Sequence, residues 1–311
     1  MSVIIPAYNA AAHIAVALGS VFAQSFTDFE VIVINDGSPD SDQMELALAP
    51  FLPRILYLKQ PNRGPSAARN LGIQHARAEF LGFLDSDDSW LPEYLAEQVG
   101  FLRSDQELDM VYSDTLFLGN TASAGKTFME LCPSNGPVTF ESLLLEETQV
   151  ITSGTVVRRH SVLEAGLFDE NLLCAEDHDL WLRIAHRGGR IAYQRKVLGQ
   201  HLVRPDSQGS PPGRLIAGQI DVLRKLGREL DLTPRIRAAL AGKLRSSEAL
   251  FAYIQGKRFL LAGEYEKAYE FLSQANALAP TRKVGALLLG VRTVPRLTGF
   301  SARMWLRLMP Q

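Results

Sequence analysis

At 311 residues the chain is long enough to bury a full α/β core and to form two domains. Apolar residues make up 46% and charged residues 21%, an ordinary globular balance, and a formal net charge of −2 gives no overall basic character for nucleic acid. Cys132 and Cys174 lie far apart without metal-ligand spacing, so they read as two incidental thiols of a reduced, cytosolic protein, with a single disulfide as the alternative.

The N-terminal Ser2-Val3-Ile4-Ile5-Pro6 already reads as a strand with no basic segment before it, unlike a signal peptide. No window offers about eighteen uninterrupted apolar residues, which argues against a membrane-spanning helix. The pattern predicts strands over 3–5, 30–34, 55–58, 80–84 and 110–112, with helices over 10–22, from 42, over 66–75 and over 92–103. This rhythm predicts a mostly parallel sheet with helices on both faces. Such sheets bind ligands beyond the carboxyl ends of their strands.

The residues just beyond each strand are therefore the candidates for a site. After the first, Pro6 stops the ladder and leads into Ala7, Tyr8 and Asn9; Tyr8 offers a flat face to a base or packs on the helix behind it. After the second, Asn35-Asp36-Gly37-Ser38 is a polar turn in which Asp36 accepts a hydrogen bond from a ring or ribose donor or simply holds the turn. After the third, Asn62, Gly64, Ser66, Ala67 and Ala68 let a helix approach the sheet closely, and Arg69 lies one turn in, within reach of a phosphate. After the fourth, Asp85-Ser86-Asp87-Asp88 puts three carboxylates in four positions, a polar turn or, with a divalent cation between them, an Asp-x-Asp metal motif. An aromatic face, a carboxylate, a cation beside small residues and an acid pair are the parts needed to hold a nucleoside diphosphate and its metal. Neither G-x-x-x-x-G-K-S/T nor G-x-G-x-x-G occurs after the first strand, so neither an ATPase nor an NAD enzyme is indicated.

Ser-Val-Ile-Ile-Pro-Ala-Tyr-Asn, Val-Ile-Asn-Asp-Gly-Ser, Asn-Arg-Gly-x-x-x-Ala-Arg-Asn and Phe-Leu-Asp-Ser-Asp-Asp, in this order, resemble the family 2 inverting glycosyltransferases of GT-A fold over about residues 1–205. The resemblance implies that Pro6, Ala7, Tyr8, Asn9, Asp36, Asn62 and Gly64 border the nucleotide, that Arg69, Ser86 and Arg204 face the diphosphate sugar, and that Asp85 and Asp87 bind Mn2+ or Mg2+. It also places Thr152, Ser153 and Gly154 toward the acceptor, although an ordinary strand entry over 154–158 reads the same residues.

Glu176-Asp177-His178-Asp179 opens a helix that Gly188-Gly189 ends. Acids at a helix start are ordinary partners of its dipole. The segment also resembles the family's Glu-Asp motif, and by that match Asp177 is the general base and Glu176 orients it or the acceptor. His178 and Asp179 are expected to face solvent and Trp181 the core. Further on, relatives carry a histidine near the metal or diphosphate; here Arg204 aligns with it, leaving His201 as a secondary metal candidate.

Residues 207–213 read as a linker or mobile loop, bounding a catalytic domain over 1–206 and an all-helical domain over 214–311. Gly263 to Pro280 resembles the second half of one tetratricopeptide repeat, which cannot bury its own face and must pack on neighbouring helices or on the catalytic domain. After Glu270 there is no acidic residue, so 282–311, with Arg282, Lys283, Arg292, Arg296, Arg303 and Arg307, suits an anionic membrane surface or forms a packed helix with its arginines in water. Pro295 should break or kink a helix there, and Pro310 marks the latest end of one. The expected function is metal-assisted transfer of a sugar from a UDP-linked donor to a hydroxyl of a glycan or lipid-linked acceptor; the alternative is an inactive scaffold that binds partners through its helices.

Overall fold

The computed structural model describes residues 1–119, 121–204, 213–293 and 295. The chain divides into two compact units, Met1–Arg204 and Pro205–Gln311. In the first, β1 (Ser2–Ala7), β2 (Glu30–Asp36), β3 (Leu56–Gln60), β4 (Phe80–Phe83), β5 (Ser89–Trp90), β6 (Leu108–Leu118), β7 (Thr155–Arg158) and β8 (Arg190–Leu202) form one sheet in the order β3-β2-β1-β4-β7-β6-β8-β5. The strands β1 to β4 run parallel, as the alternation predicts, because each return passes through a helix. Beyond β4 the sheet is mixed: β7 is antiparallel to both β4 and β6, while β6 and β8 are parallel. Every residue of β4 is buried, as a strand covered on both faces requires.

Helices α1 (Ile14–Phe22), α2 (Ser41–Leu48), α3 (Pro65–His75) and α4 (Tyr94–Ser104) connect the early strands. The first begins four residues later than the pattern predicts. Asn9 takes a left-handed φ of 52° and the Ala11 amide donates to Asp40 Oδ2 at 2.8 Å, so residues 10–13 are spent on a turn. The helix α3 lies close on β1 and β2 through Gly72, where a Cβ would sit 2.6 Å from Ile4 Cγ2 and 3.0 Å from Ile34 Cδ1. Gly72→Ala is accordingly expected to cost about 1–3 kcal/mol in urea unfolding, by forcing the helix off the sheet.

Short helices α5 (Phe128–Leu131), α6 (Phe140–Leu144) and α7 (Arg159–Glu164) lead to α8 (Glu176–His186), and Trp181 is buried as expected. Cys132 and Cys174 are not joined.

The second unit contains α9 (Arg214–Glu229), α10 (Pro234–Ala262), α11 (Tyr265–Leu278) and α12 (Arg282–Thr293). Gly263, at φ 82°, ends α10 and starts the repeat-like turn. The repeat-like pair buries its apolar face on neighbouring helices: Ala252 and Leu260 meet Ala268, Leu272 and Ala275, and Val284 and Val291 of α12 complete the cluster. The linker expected over 207–213 falls outside the described residues apart from Gly213. Pro295 is itself helical, and the remaining tail, with Pro310, lies outside them.

Candidate active site

The loops after β1, β2 and β3 are stitched together by their own polar groups. The Asn9 amide donates to Ser38 Oγ at 2.7 Å, and the Ser38 amide donates to Asn35 Oδ1 at 2.9 Å. Asp36 is buried; its Oδ1 accepts from Gln60 Nε2 at 2.7 Å and the Arg63 amide at 2.9 Å, and its Oδ2 from the Gly64 amide at 2.8 Å. It therefore holds the Asn62–Gly64 loop whatever else it contacts. Gly37 is required beneath it, because at φ 63° a Cβ would meet the Asn62 nitrogen at 2.5 Å. Tyr8 is 50% exposed, so its ring is not consumed by packing on the helix behind it. Pro6 is half-buried and Ala7 fully buried beside it.

Arg69 sits deeper than the resemblance implies. It is buried, and instead of opening toward a diphosphate it donates from Nη1 to Glu176 Oε1 at 2.7 Å and from Nη2 to Asp85 Oδ1 at 2.8 Å. Burial alone would lower its pKa, but the carboxylates of Asp85, Glu176 and Asp177 raise it. One guanidinium thus ties the acid motif after β4 to the acid motif at the start of α8, across a sequence separation of 107 residues to Glu176. The bridge places Asp85 beside Glu176, with Asp177 near enough for its charge to act on Arg69.

The acids after β4 divide their partners. Arg204 Nε lies 3.0 Å from Asp87 Oδ2, and Asp88 is held by His201 Nδ1 at 2.9 Å and the Leu202 amide at 3.0 Å. Burial, then the charges of Asp88 and Asp85, push Asp87 up to about 6 against the opposing pull of Arg204. Burial would lower His201, but its bond to Asp88 and the charges of Asp85 and Asp87 raise it. Ser86 is half-buried between the two aspartates.

Asp177 accepts from Thr152 Oγ1 through Oδ2 and from the His178 amide through Oδ1 at 2.7 Å. Glu176 is raised by burial and by Asp177, with Arg69 opposing. The loop in front of them is locally strained: Leu167 and Ala175 carry φ of 66° and 61°. Asn70 clamps this loop, donating to the Phe168 carbonyl at 2.9 Å and accepting from the Phe168 amide at 3.0 Å. Here the expectation for Asp179 fails. It is fully buried and paired with Arg183 at 2.7 Å, and Arg183 in turn donates to the Leu167 carbonyl at 2.7 Å, so the acid serves the loop rather than solvent. His178 is also half-buried, with Nε2 3.1 Å from the Leu143 carbonyl oxygen.

Among the described residues no three His, Cys, Asp or Glu side chains form a ready cation cage. Asp85 and Asp87, two half-buried carboxylates one residue apart, nevertheless suit Mg2+ or Mn2+, which commonly use one or two protein carboxylates and take their remaining oxygens from substrate phosphates and water. Sequence reasoning missed Asn70, Arg183 and the Asp88–His201 pair as supporting residues. The signal for Asn70 was present, since it closes the Asn-Arg-Gly-x-x-x-Ala-Arg-Asn motif directly after Arg69.

Comparison with known proteins bears on the family and the fold. An uncharacterized glycosyltransferase of Rickettsia conorii is 34% identical over 190 residues, 60% of this chain and 30% of the relative, so the chain spans less than a third of that relative's length. The structure of S. aureus TarS 1-349 in complex with UDP-GlcNAc superposes with a TM-score of 0.66 at 19% identity, covering 98% of this chain and 91% of that one. The mannosyltransferase PcManGT of Pyrobaculum calidifontis, in complex with GDP-Man and Mn2+, gives 0.61 at 19% identity over 97% of this chain and 83% of its own. These two share the fold. With residues 2–160 matching the family profile, and the acid motifs joined as described, the chain belongs to glycosyl transferase family 2.

Proposed function

We propose that this chain transfers a sugar from a UDP-linked donor to a hydroxyl of a glycan or lipid-linked acceptor, with inversion at the anomeric carbon. The observation that supports it best is the Asp85–Arg69–Glu176 bridge, which sets Asp177 beside the acids that would face a diphosphate. An acceptor hydroxyl is a poor nucleophile, and Asp177 takes its proton as the oxygen attacks. Glu176 and Arg69 hold that carboxylate's neighbourhood in place. Tyr8, Asn9, Asp36, Asn62 and Gly64 border the nucleotide. Asp85 and Asp87 would hold Mn2+ or Mg2+, which when bound offsets charge gathering on the leaving diphosphate. Arg204 then adds a cation on the same side, and His201 keeps Asp88 in place.

A panel of UDP- and GDP-sugars, scored for nucleotide release with manganese, tests the reading; no release from any donor would defeat it. Asp87→Ala is expected to weaken manganese-dependent UDP binding at least about tenfold by calorimetry, since one of two charged ligands is gone. Equal affinity would remove Asp87 from the metal site.

A lipid-linked acceptor also fits the charge of the second unit. Residues 1–204 carry 15 Lys and Arg against 26 Asp and Glu, whereas residues 205–311 carry 17 against 8. On α12, Arg282, Lys283 and Arg292 are exposed together with Leu289 at 65%. Among the described residues no helix is long and apolar enough to cross a membrane. The proposed contact is the basic, partly apolar face of α12, and the chain should co-sediment with phosphatidylglycerol vesicles in low salt and be released by about 0.5 M salt.

A further inference from the structure

We infer that Thr152 is a positioning residue for the proposed base, its hydroxyl fixing the direction in which the Asp177 carboxylate points. The inference rests on the reading of Asp177 as base and adds a residue that the acid motifs do not contain. Thr152 opens a single 3-10 turn, Thr152–Gly154, immediately before β7, and is only 5% exposed.

That turn is pinned from several directions. Trp90 Nε1 donates to the Ser153 carbonyl at 2.6 Å and Gln98 Nε2 to the Gly154 carbonyl at 2.9 Å. Thr155 Oγ1 donates to the Ile151 carbonyl at 3.0 Å, closing the turn on itself. A hydroxyl has one proton to give, and here Thr152 Oγ1 gives it to Asp177 Oδ2. The other oxygen accepts from the His178 amide, so the carboxylate is held at both ends and cannot rotate without breaking a bond.

The next residue of the same turn reaches the other half of the site. Ser153 Oγ accepts from the Asp85 amide at 3.2 Å. Two adjacent side chains on one pinned turn therefore touch the base, on the first turn of α8, on one side and the metal-motif backbone, in the short β4–β5 connection, on the other. Small errors in the placement of a reacting group cost rate far more than binding.

Thr152→Val keeps the shape and removes the hydroxyl. With the donor found by nucleotide release, it should lower kcat for transfer at least about tenfold while donor KM stays within about twofold. Thr152→Ser, which returns the hydroxyl, should restore kcat to within about threefold. Unchanged kcat in Thr152→Val, a KM that rises in step with the lost kcat, or a serine variant no better than valine would overturn the inference. If Thr152→Val does not fold, Thr152→Ala is measured in the same way. A melting-temperature cycle needs no donor at all: Thr152→Val should lower Tm in the native background and have no further effect once Asp177→Ala is present. Additive shifts would show that the two side chains do not interact. A native chain that turns over no donor defeats the transferase reading instead, and the cycle still decides whether Thr152 holds Asp177.

Discussion

Asp177→Asn should cut sugar transfer about 10²–10⁴-fold while leaving manganese-dependent UDP binding at the native affinity. The substitution changes one atom. Asparagine still presents an oxygen to Thr152 or to the His178 amide, so the start of α8 keeps its shape. What it loses is the ability to take a proton from an attacking hydroxyl. Arg69 reaches Glu176 and Asp85 directly and does not hydrogen-bond to Asp177, so the bridge behind the donor side remains. Steady-state transfer and calorimetry on the same preparation separate the two effects. Transfer within about threefold of native would take the proton-accepting role away from Asp177, and a parallel loss of UDP affinity would mean that the residue shapes the donor side.

Arg69→Met should be the most destabilising single change in the site, by about 3–5 kcal/mol. The guanidinium side chain is 6% exposed and stands between Asp85 and Glu176, whose side chains are 34% and 10% exposed. Removing it leaves two inward acids facing each other without a counter-ion. The loss should also depend on pH in a definite direction. Burial and Asp177 already raise Glu176 while Arg69 pulls it down; without Arg69 its folded pKa rises further above the unfolded value. A carboxyl of that kind favours the folded state below its unfolded pKa and loses that support as pH climbs through the folded one. The variant should therefore approach native stability as the pH falls into the acid range, and differ most at neutral pH. Urea unfolding at about pH 7 and pH 5 checks both the size and the sign. An equal deficit at the two values would mean that packing of the arginine stem, and not its charge, was lost. Lysine should rescue only partly, because one ammonium cannot span both partners in the plane that the fork does.

The parallel half of the sheet was legible because buried strands and amphipathic helices announce themselves locally. The acids after β4 stood out for the same reason: three carboxylates in four positions at the end of an apolar run are conspicuous in one dimension. What the sequence hid was who neutralises whom. Arg69 reads as a phosphate ligand because it follows small residues at a helix start, yet in space it spans two acids 16 and 107 positions away. Asp179 reads as a solvent-facing acid in a polar helix start, but α8 is amphipathic with this residue turned inward, where Arg183 one turn later answers it. The two-residue strand Ser89–Trp90 was invisible because its partner, Gln200 and Gly199 on β8, lies 109 to 111 positions further on. Long-range pairings of this sort have no period to detect.

Ala175 holds a left-handed backbone directly in front of Glu176 and Asp177. Glycine would settle there without resistance, whereas a methyl group raises the local energy by about 1–2 kcal/mol. The chain nonetheless keeps the side-chain carbon, and with it far fewer ways for that peptide to swivel. Stiffness at this one joint narrows the cone through which both acids can wander, so that the proposed base would keep one direction.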